Sequence, residues 1–554
     1  MRIGRLGLVG VATLVASCGE KEFRIGGTIS GLSGGITLQL NGQENLTRDA
    51  DGPFSFETRV EDEGDYAVTV ATQPPEQDCT VEGGTGKVAG ADVNSVQVRC
   101  AARTYSIGGT VEGLDGTLEL SLGGETLRVT TNGRFTFPTK LPKGGTYRVG
   151  VASQPANQRC SVSNGSGTVA DNVENLSVQC VYWYALDSFQ AASVVIGQKN
   201  FTSGIPDQGN NTAGANTLNG PWGNPVLAGG RLYVSDRNSH RVLGFDGVPT
   251  ANDASAAFVL GQSAITGNTP GRGQDGFERP EGLASDGTRL AVVDAGNNRV
   301  LLYPALPAST GATPTLVLGQ PGFDNDDIEP GPCDAHSFHF PEGAFIGHGK
   351  LLVADSAHNR VLVWNTIPTT NGAPADLVLG QRSLTTCAAN DAAGDGVSDD
   401  APSASTLWNP MGVWTDGTRL VVVDAANSRV LIWNQFPTSH GQGADLVLGQ
   451  PGFTSRGMAT TASGLRIPSY VTSTGQQLFV ADSQNNRVLV WNQFPTTSGA
   501  EAEVVLGQPN LTSATTSSTP SDRGLHQPGG LLLAWPHVVV PDTNHNRLLV
   551  FTSR

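Results

Sequence analysis

The sequence predicts an all-β protein, in which two small tandem β-sandwich modules are followed by a six-bladed β-propeller with four strands per blade. Three observations lead to this fold class. The 554 residues include 71 Gly and 32 Pro, a composition that favours turns and short strands over long helices. Residues 22–101 and 102–181 are two copies of one short module. In residues 182–554 a strand–turn–strand unit recurs six times, which is typical of a propeller or a solenoid.

The charge of the chain disfavours two classes of partner. It has 34 basic and 50 acidic side chains, for a formal net charge of −16, and only 15% of its residues are charged. A nucleic-acid-binding surface requires a basic patch to neutralise phosphates, so we expect no nucleic-acid partner. The same balance disfavours docking of the folded surface onto anionic lipid headgroups.

The first residues are typical of an export signal. Arg2 and Arg5 precede an apolar run from Leu6 to Val15, which is too short to cross a bilayer as a helix. We interpret residues 1–17 as a signal peptide that is removed from the mature protein, and residues 18–21 as a tether.

The end of this signal, Val15-Ala16-Ser17-Cys18, resembles the lipobox of bacterial lipoproteins. The resemblance implies that Cys18 is lipidated and that its acyl chains anchor the protein in a lipid bilayer. Gly19 follows where Asp would signal retention in the inner membrane, so the resemblance implies the outer membrane or cell surface. An ordinary signal peptide that happens to contain a cysteine is the alternative, and either one means export.

The two modules carry four of the six remaining cysteines at matching places. Cys79 corresponds to Cys160 and Cys100 corresponds to Cys180, so the repeat itself predicts the bridges Cys79–Cys100 and Cys160–Cys180. Each bridge would close a loop of about 20 residues and add about 3 kcal/mol to a module with a small core.

Turn signals divide each module into short strands. Asp51-Gly52 and Asn132-Gly133 lie between alternating apolar and polar runs and predict β-hairpins. Neither module contains a cluster of His, Asp and Ser that suggests catalysis. We therefore expect the modules to form a stalk, with an adhesive role as the alternative.

Three signatures recur in each of the six longer units. The first is an Asp and an Arg separated by four residues on either side of an Asn-rich turn; the second is Leu-Gly-Gln or Ile-Gly-Gln; the third is a proline that opens an apolar strand. A catalytic site is rarely copied into every repeat, so we interpret the Asp and Arg residues as structural hairpin pairs. These pairs are Asp236–Arg241, Asp294–Arg299, Asp355–Arg360, Asp424–Arg429, Asp482–Arg487 and Asp542–Arg547.

The strand order within a unit follows from these signatures. In one unit the predicted strands a to d are Pro410–Trp414, Leu420–Asp424, Arg429–Trp433 and Asp445–Gly449. The chain enters the repeat region on a strand of type d, at 194–197, and leaves it on a strand of type c. We therefore predict that the first strand completes the last blade, which removes the open sheet edges.

The segment Asn544-His545-Asn546-Arg547-Leu548 and its five relatives resemble the NHL repeat. The resemblance covers about residues 182–554 and implies a β-propeller. The units are longer than the usual NHL repeat, with the surplus in the c–d and d–a connections. Ordered loops of such length are usually functional. The d–a and b–c connections share one face of a propeller, here called the long-loop face, and we predict that this face binds a protein or glycan ligand.

The residue two before each strand-a proline is a candidate for the mouth of the central channel. His and Glu side chains that converge on an axis can bind a divalent metal, so His339, His526 and Glu278 are candidate ligands. NHL-like lyases of the peptidylglycine alpha-amidating family place metal-binding histidines in this channel. A polar lining with ordered water is the alternative. The six positions are Asn219, Glu278, His339, Trp408, Arg466 and His526.

Two acidic loop segments are further candidates for a metal. Residues 324–327 and 391–396 offer oxygen ligands to calcium, although neither has the EF-hand spacing, and a solvated loop is the alternative. Calcium or zinc is thus a candidate cofactor, but no cofactor is clearly indicated. Cys333 and Cys387 lie in the d–a connections that enter neighbouring units, so we predict a bridge between them.

The sequence therefore favours an exported, lipid-anchored binding protein. No nucleophile elbow or phosphate-binding loop is present in the sequence. A metal-dependent lyase or hydrolase at the channel mouth and a purely structural envelope scaffold are the alternatives.

Overall fold

The computed structural model describes residues 21–324, 333–516 and 518–554. These residues form two compact units, the first ending at Cys180 and the second running Val181–Arg554. Strands dominate both units, which confirms the predicted all-β class. No helix in the described part of the chain is long and apolar enough to cross a membrane. The predicted signal peptide and the lipidation of Cys18 lie outside the described residues.

The first unit contains two sandwiches, each built from two four-stranded sheets that share one apolar core. In the first sandwich the sheets are Gly52–Glu61, Glu22–Ser30, Val93–Ala102 and Gln77–Glu82, and Glu44–Arg48, Ile36–Leu40, Asp65–Thr72 and Thr85–Lys87. In the second they are Gly133–Thr136, Ile107–Glu112, Val173–Tyr182 and Gln158–Ser163, and Glu125–Val129, Leu118–Leu122, Thr146–Ser153 and Ser166–Thr168. A short pair, Thr104–Tyr105 with Leu141–Pro142, lies beside the second sandwich.

The hairpins predicted at 51–52 and 132–133 are wrong. Strand Glu44–Arg48 pairs in one sheet and strand Gly52–Glu61 in the other, so this turn carries the chain from sheet to sheet. The Asp51 carboxylate accepts the backbone N–H groups of Gly31 at 2.9 Å and Leu32 at 2.6 Å, which fixes the crossing. The tight hairpin of this sandwich lies at residues 41–43 instead, between Ile36–Leu40 and Glu44–Arg48.

The three predicted disulfides are present. Cys79 and Cys100 stand opposite each other on neighbouring strands and are bonded. The second sandwich contains Cys160–Cys180, and the second unit contains Cys333–Cys387. Disulfides are typical of exported proteins, because the cytosol keeps thiols reduced.

Replacing Cys79 and Cys100 by Ala should destabilise the first unit by about 3 kcal/mol, because the loop of 21 residues is then free in the unfolded chain. Calorimetry should show a lower transition temperature for this unit. All eight Trp residues lie between positions 183 and 535, so unfolding followed by Trp fluorescence reports the second unit alone and should not change. A first-unit transition at its original temperature would contradict the prediction.

The second unit contains six four-stranded antiparallel sheets, numbered 1 to 6 here, with strands a to d counted outward. Sheet 1 is Val226–Ala228, Arg231–Asp236, Arg241–Phe245 and Phe258–Leu260; sheet 2 is Pro280–Ser285, Leu290–Asp294, Arg299–Tyr303 and Leu316–Leu318; sheet 3 is Gly343–Gly347, Lys350–Asp355, Arg360–Trp364 and Leu377–Leu379. Sheet 4 is Pro410–Thr415, Leu420–Asp424, Arg429–Trp433 and Leu446–Leu448; sheet 5 is Val471–Ser473, Leu478–Asp482, Arg487–Trp491 and Val504–Leu506; sheet 6 is Leu532–Ala534, His537–Asp542, Arg547–Thr552 and Val194–Ile196.

The sheets are arranged as a closed ring, as in a propeller. Each strand a contacts strand a of both neighbouring sheets, and sheet 6 contacts sheet 1. Strand d of sheet 6 is the first strand of the unit, with Val194, Val195 and Ile196 opposite Val550, Leu549 and Leu548. The predicted closure of the last sheet by the first strand is thus observed, and it leaves no open end in the ring.

Short 3-10 turns join strand b to strand c in every sheet. They span Arg237–Ser239, Ala295–Asn297, Ser356–His358, Ala425–Asn427, Ser483–Asn485 and Thr543–His545, and one further 3-10 turn, Pro206–Gly209, lies in the loop before sheet 1. The repeated glycine after strand d has φ between +81° and +88° in all six sheets. A Cβ there would lie within 2.6 Å of a Leu or Phe side chain of the following loop, so only Gly fits.

The long c–d connections have a structural role. The central residue of each strand d donates its N–H to a side chain from the c–d connection of the next sheet, at 2.9–3.3 Å. For sheet 5 this acceptor is Ser188, which precedes the closing strand. These contacts cover the outer edge of each sheet, which would otherwise be open to pairing with another chain.

Candidate binding site at the long-loop face

Each Asp–Arg pair is a buried ion pair. In all six sheets the Arg Nε lies 2.7–2.8 Å from Asp Oδ2, with both side chains at most 2% exposed. The other nitrogens of the Arg donate to loop carbonyls: Arg429 contacts Phe453 O in one d–a loop and Thr406 O in another. A single Arg therefore fixes the loop that enters its sheet and the loop that leaves it.

Burial dominates the electrostatics of these pairs. It raises the pKa of Asp236 and of Asp294 to about 6, although Arg241 and Arg299 each oppose the shift. The desolvation cost of such a pair offsets much of its attraction. The pairs therefore serve mainly to hold the b–c turns and d–a loops in one arrangement.

The turn between strands b and c of each sheet is hydrogen-bonded to the next sheet. The residue just before each Arg has φ between +50° and +55°, which Asn tolerates well. Its side chain accepts the N–H of the residue before the repeated proline of the next sheet, at 2.7–3.3 Å. This proline begins strand a only in sheets 2 and 4, and in the other four sheets it precedes the strand, contrary to the expectation that it opens the strand in every unit. The residues that accept these bonds are His240, Asn298, Asn359, Ser428, Asn486 and Asn546.

The six candidate channel-mouth positions share one backbone role. The N–H of Asn219, Glu278, His339, Trp408, Arg466 and His526 donates to Oδ1 of the Asp in the same sheet, at 2.6–2.7 Å. This repeated bond ties the start of strand a to the b–c turn. Their backbone is therefore part of the architecture, whatever their side chains bind.

The structure packs the two candidate metal-binding histidines within their own sheets. The ring of His339 lies 5.3 Å from that of His358, and the ring of His526 lies 5.2 Å from that of His545. Burial lowers the pKa of both His339 and His526. Among the described residues, no three His, Cys, Asp or Glu side chains are grouped as a metal would require.

The candidate calcium loop at 391–396 is organised by its own first carboxylate. Asp391 accepts the N–H groups of Gly394 at 2.6 Å, Asp395 at 3.2 Å and Gly396 at 2.8 Å. Of the other candidate loop, 324–327, only Asp324 is among the described residues.

A polar cluster lies at the centre of the ring, built by residues from sheets on several sides. Arg237 Nε of sheet 1 lies 2.8 Å from Glu281 Oε1 of sheet 2, and the Arg237 guanidinium lies 5.3 Å above the Trp222 ring. The Tyr470 hydroxyl of sheet 5 donates to the backbone carbonyl of Glu342 in sheet 3, at 2.6 Å. We call this cluster the channel recess; it consists of Trp222, Arg237, Arg279, Glu281, Glu342 and Tyr470.

Two carboxyl groups are buried in the recess. Glu281 is fully buried and Glu342 is 8% exposed. Burial raises the pKa of both well above the usual range for Glu; Arg237 opposes both shifts, and Glu342 adds to that of Glu281. Both carboxyl groups therefore hold a proton more readily than an exposed Glu does.

Several buried polar atoms of the recess lack a well-aligned hydrogen bond. They are both carboxylate oxygens of Glu281, Nε of Arg237 and Nε1 of Trp222, within the described part of the chain. Three of these four atoms still have a partner beside them. Arg237 Nε lies 2.8 Å from Glu281 Oε1, and a contact from the Trp222 side chain opposes the rise in the pKa of Glu342.

Tyr470 is a buried residue that breaks the repeat near the axis of the ring. The second residue after the strand-a proline is Gly in five sheets and Tyr470 in sheet 5. A Cβ at Gly282 would lie 3.3 Å from the Tyr470 hydroxyl and closer still to the backbone of residues 342–343, so a larger residue would be crowded there. A cavity of about 190 Å³ is lined by residues from all six inner strands or the segments that lead into them.

Comparisons with known proteins add little at the level of sequence. No protein-family model matches the chain. No curated protein matches it either. Similar solved structures include virginiamycin B lyase from Staphylococcus aureus, with 12% identity over 60% of this chain and 95% of that chain and a TM-score of 0.32.

Two further solved structures show a comparable likeness. An auxiliary nutrient binding protein from Bacteroides ovatus has 11% identity over 79% of this chain and 91% of that chain, with a TM-score of 0.38. A chain of a nidogen/laminin complex has 16% identity over 52% of this chain and 84% of that chain, with a TM-score of 0.26. The fold described above rests on its own strand pairing and not on these likenesses.

Proposed function

We propose that this protein is an exported, lipid-anchored envelope protein that binds a protein or glycan ligand through its long-loop face. In this proposal Cys18 carries the lipid in the outer membrane, residues 22–101 and 102–181 form a stalk, and residues 182–554 form a six-bladed NHL-like propeller. The observation that carries the proposal is the buried network of six Asp–Arg pairs, which holds long loops in fixed positions on one face. Loops on a rigid scaffold are the usual place for binding residues.

The first residues of the second unit pack on the opposite face. Tyr184 N donates to Gln477 Oε1 at 2.8 Å, and the Tyr184 ring lies 5.4 Å from the Trp535 ring. Gln477 and Trp535 both belong to a–b connections, which lie at the other end of the strands from the d–a loops. The first residues of the second unit therefore do not cover the long-loop face.

The long-loop face also carries the residue types that dominate binding interfaces. Arg456 lies 5.3 Å above the Trp408 ring, and Arg466 is exposed two positions before the next strand-a proline. Trp and Arg are enriched among the residues that contribute most to binding. The Cys333–Cys387 disulfide joins two loops of this face and restricts their movement.

Substitution of Trp408 by Ala and of Arg466 by Glu should weaken ligand binding at least about tenfold, because both changes remove contact groups from the face. The full chain with Cys18→Ser can be tested on a glycan array and against an envelope extract of the producing cell. Thr418→Arg is the matched control, because Thr418 is exposed on the a–b turn of the same sheet as Trp408. Equal losses in all three variants, or no saturable ligand for the unaltered chain, would favour a scaffold role instead.

A further inference from the structure

The two sandwiches of the first unit differ at one hairpin turn. A turn of three residues, 41–43, follows Leu40 in the first sandwich, whereas a turn of two residues, Gly123 and Gly124, follows Leu122 in the second. Leu40 and Leu122 each lie opposite a Val of the neighbouring strand, so the two turns hold the same place in their sheets. The first turn therefore shows what can occupy the matching space beside the second.

The first turn bonds the neighbouring strand with its own amide side chain. Asn41 Nδ2 donates to Asp65 O at 3.2 Å, and Asn41 Oδ1 accepts the N–H of Ala67 at 2.7 Å. A single primary amide thus satisfies a carbonyl and an N–H that lie two residues apart on one strand edge.

The second turn leaves the matching groups without this partner. The register of the sheets places Thr146 where the first sandwich has Asp65, and Arg148 where it has Ala67. Gly123 has no side chain, and in the described part of the first unit neither Thr146 O nor Arg148 N is hydrogen-bonded to turn 123–124. These two groups are therefore available to another molecule.

The strand directs both groups toward the turn. Val149 N donates to Gly165 O at 2.6 Å on the other side of the strand. Backbone groups of successive residues point to opposite edges of a strand, so those of Arg148 and Thr146 face the turn and not residue 165.

A second difference frees a carboxylate oxygen beside the same turn. In the first sandwich Glu44 accepts two backbone N–H groups, one on each oxygen, at 2.9 and 2.8 Å. Its counterpart Glu125 accepts the N–H of Thr139 at 3.2 Å through Oε2. Pro138 stands where the other donor would be and has no N–H, so Glu125 Oε1 has no such bond in the described first unit.

A cleft of about 710 Å³ lies where these groups meet. Its lining includes Gly123, Glu125, Leu141, Thr146 and Arg148. A Cβ at Gly123 would have no atom within 4 Å, so the space that a side chain would fill is open. The volume is within the usual range for ligand sites.

We propose that this cleft binds the primary amide of an Asn or Gln side chain from a partner protein. The amide nitrogen donates to Thr146 O and the amide oxygen accepts Arg148 N–H, as Asn41 does in the first sandwich. Glu125 offers an acceptor for the remaining N–H. A primary amide has one N–H on the same side as its oxygen, whereas a trans peptide bond points the two in opposite directions and cannot make both bonds.

The site goes beyond the proposed function, because it lies in the first unit and not on the long-loop face. It gives the modules, which we expect to form a stalk, a binding role of their own. The two proposals can therefore fail independently.

NMR of the full chain with Cys18→Ser and nitrogen-15-labelled arginine tests the proposal, with acetamide as the probe. The N–H signal of Arg148, assigned with Arg148→Lys, should shift saturably. N-methylacetamide should require a concentration about fivefold higher for half of the shift, because it can make only one of the two bonds. The signal of Arg128 is the internal control and should not move, because Arg128 lies opposite Glu119 within the same sheet.

A turn exchange provides the matched variant. Replacing Gly123-Gly124 by Asn-Gly-Gln, the turn of the first sandwich, should place an amide in the cleft; φ is +62° at Gly123 and +52° at Asn41, so the backbone accepts Asn. The Arg148 signal should then be shifted without acetamide and should no longer respond to it. The same exchange with Gly-Gly-Gln supplies no amide and should keep the response.

Three results would overturn the proposal. The first is no shift of the Arg148 signal with acetamide. The second is an equal or stronger response to N-methylacetamide or N-acetylglucosamine, which would assign the cleft to a secondary amide. The third is an Asn-Gly-Gln variant that is folded, as calorimetry of the first unit shows, and still responds to acetamide as the unaltered turn does.

Discussion

Replacing Asp424 by Asn should lower the free energy of unfolding of the second unit by about 3–5 kcal/mol, since removing one partner of a buried ion pair leaves the other charge uncompensated. Asp424 and Arg429 are both fully buried, with Arg429 Nε 2.7 Å from Asp424 Oδ2. The Asn side chain keeps an acceptor for Trp408 N–H, so the loss is mainly electrostatic. Urea unfolding followed by Trp fluorescence measures it, because every Trp lies in the second unit.

A surface ion pair of the same unit provides the control. Arg554 and Asp187 lie 2.8 Å apart with side chains 65% and 55% exposed, so Arg554→Ala should cost no more than about 1 kcal/mol. The double variant Asp424→Leu with Arg429→Met should recover only part of the loss, because the carbonyls of Ser403, Thr406 and Phe453 lose their donor. A cost for Asp424→Asn as small as that for Arg554→Ala would show that the pair does not organise the loops.

The sequence predicts the fold of the second unit well because the repeat is long and its recurring residues make the same contacts in each of the six sheets. The spacing from Asp424 to Arg429 equals the length of one 3-10 turn with its flanking residues, and the predicted strands b and c of sheet 4 match the observed ones. The closing strand was predictable because the repeat region begins on a type d strand and its last strand is of type c. Local signals failed at Asp51-Gly52, since a turn dipeptide does not specify which sheet the next strand joins.

The recess was not predictable from the same patterns. From the sequence, the channel mouth was expected at the residue two before each repeated proline. The recess is instead built from the residue after that proline, Glu281 or Glu342. The residue before each proline has a positive φ, from +42° to +60°, which L residues rarely adopt and which local pattern does not reveal. The one available signal was a Glu at the start of an apolar strand in two of the six units. Its burial beside Arg237 depends on contacts between sheets.

Val195→Asp should lower the free energy of unfolding of the second unit by about 4 kcal/mol or more and should also cause self-association. Val195 is fully buried in the core that sheets 5 and 6 share, so the new carboxylate would lack both water and a partner there. Displacement of the closing strand would expose strand c of sheet 6 as an open edge that can pair with a second chain. Trp-monitored unfolding and size-exclusion chromatography at several concentrations measure the two effects.

The pairing itself can be tested by a cross-link. Val195 stands opposite Leu549, and its N–H points away from that strand toward Asn252. Val195 and Leu549 are therefore a non-hydrogen-bonded pair, in which the two side chains lie closest together. Val195→Cys with Leu549→Cys should therefore form a disulfide on mild oxidation, which mass spectrometry of the digested protein detects. The matched control pairs Val195→Cys with Leu489→Cys, because Leu489 holds the equivalent place in sheet 5, opposite Val505. A bridge to position 489, or none to position 549, would show that the ring is not closed by its first strand.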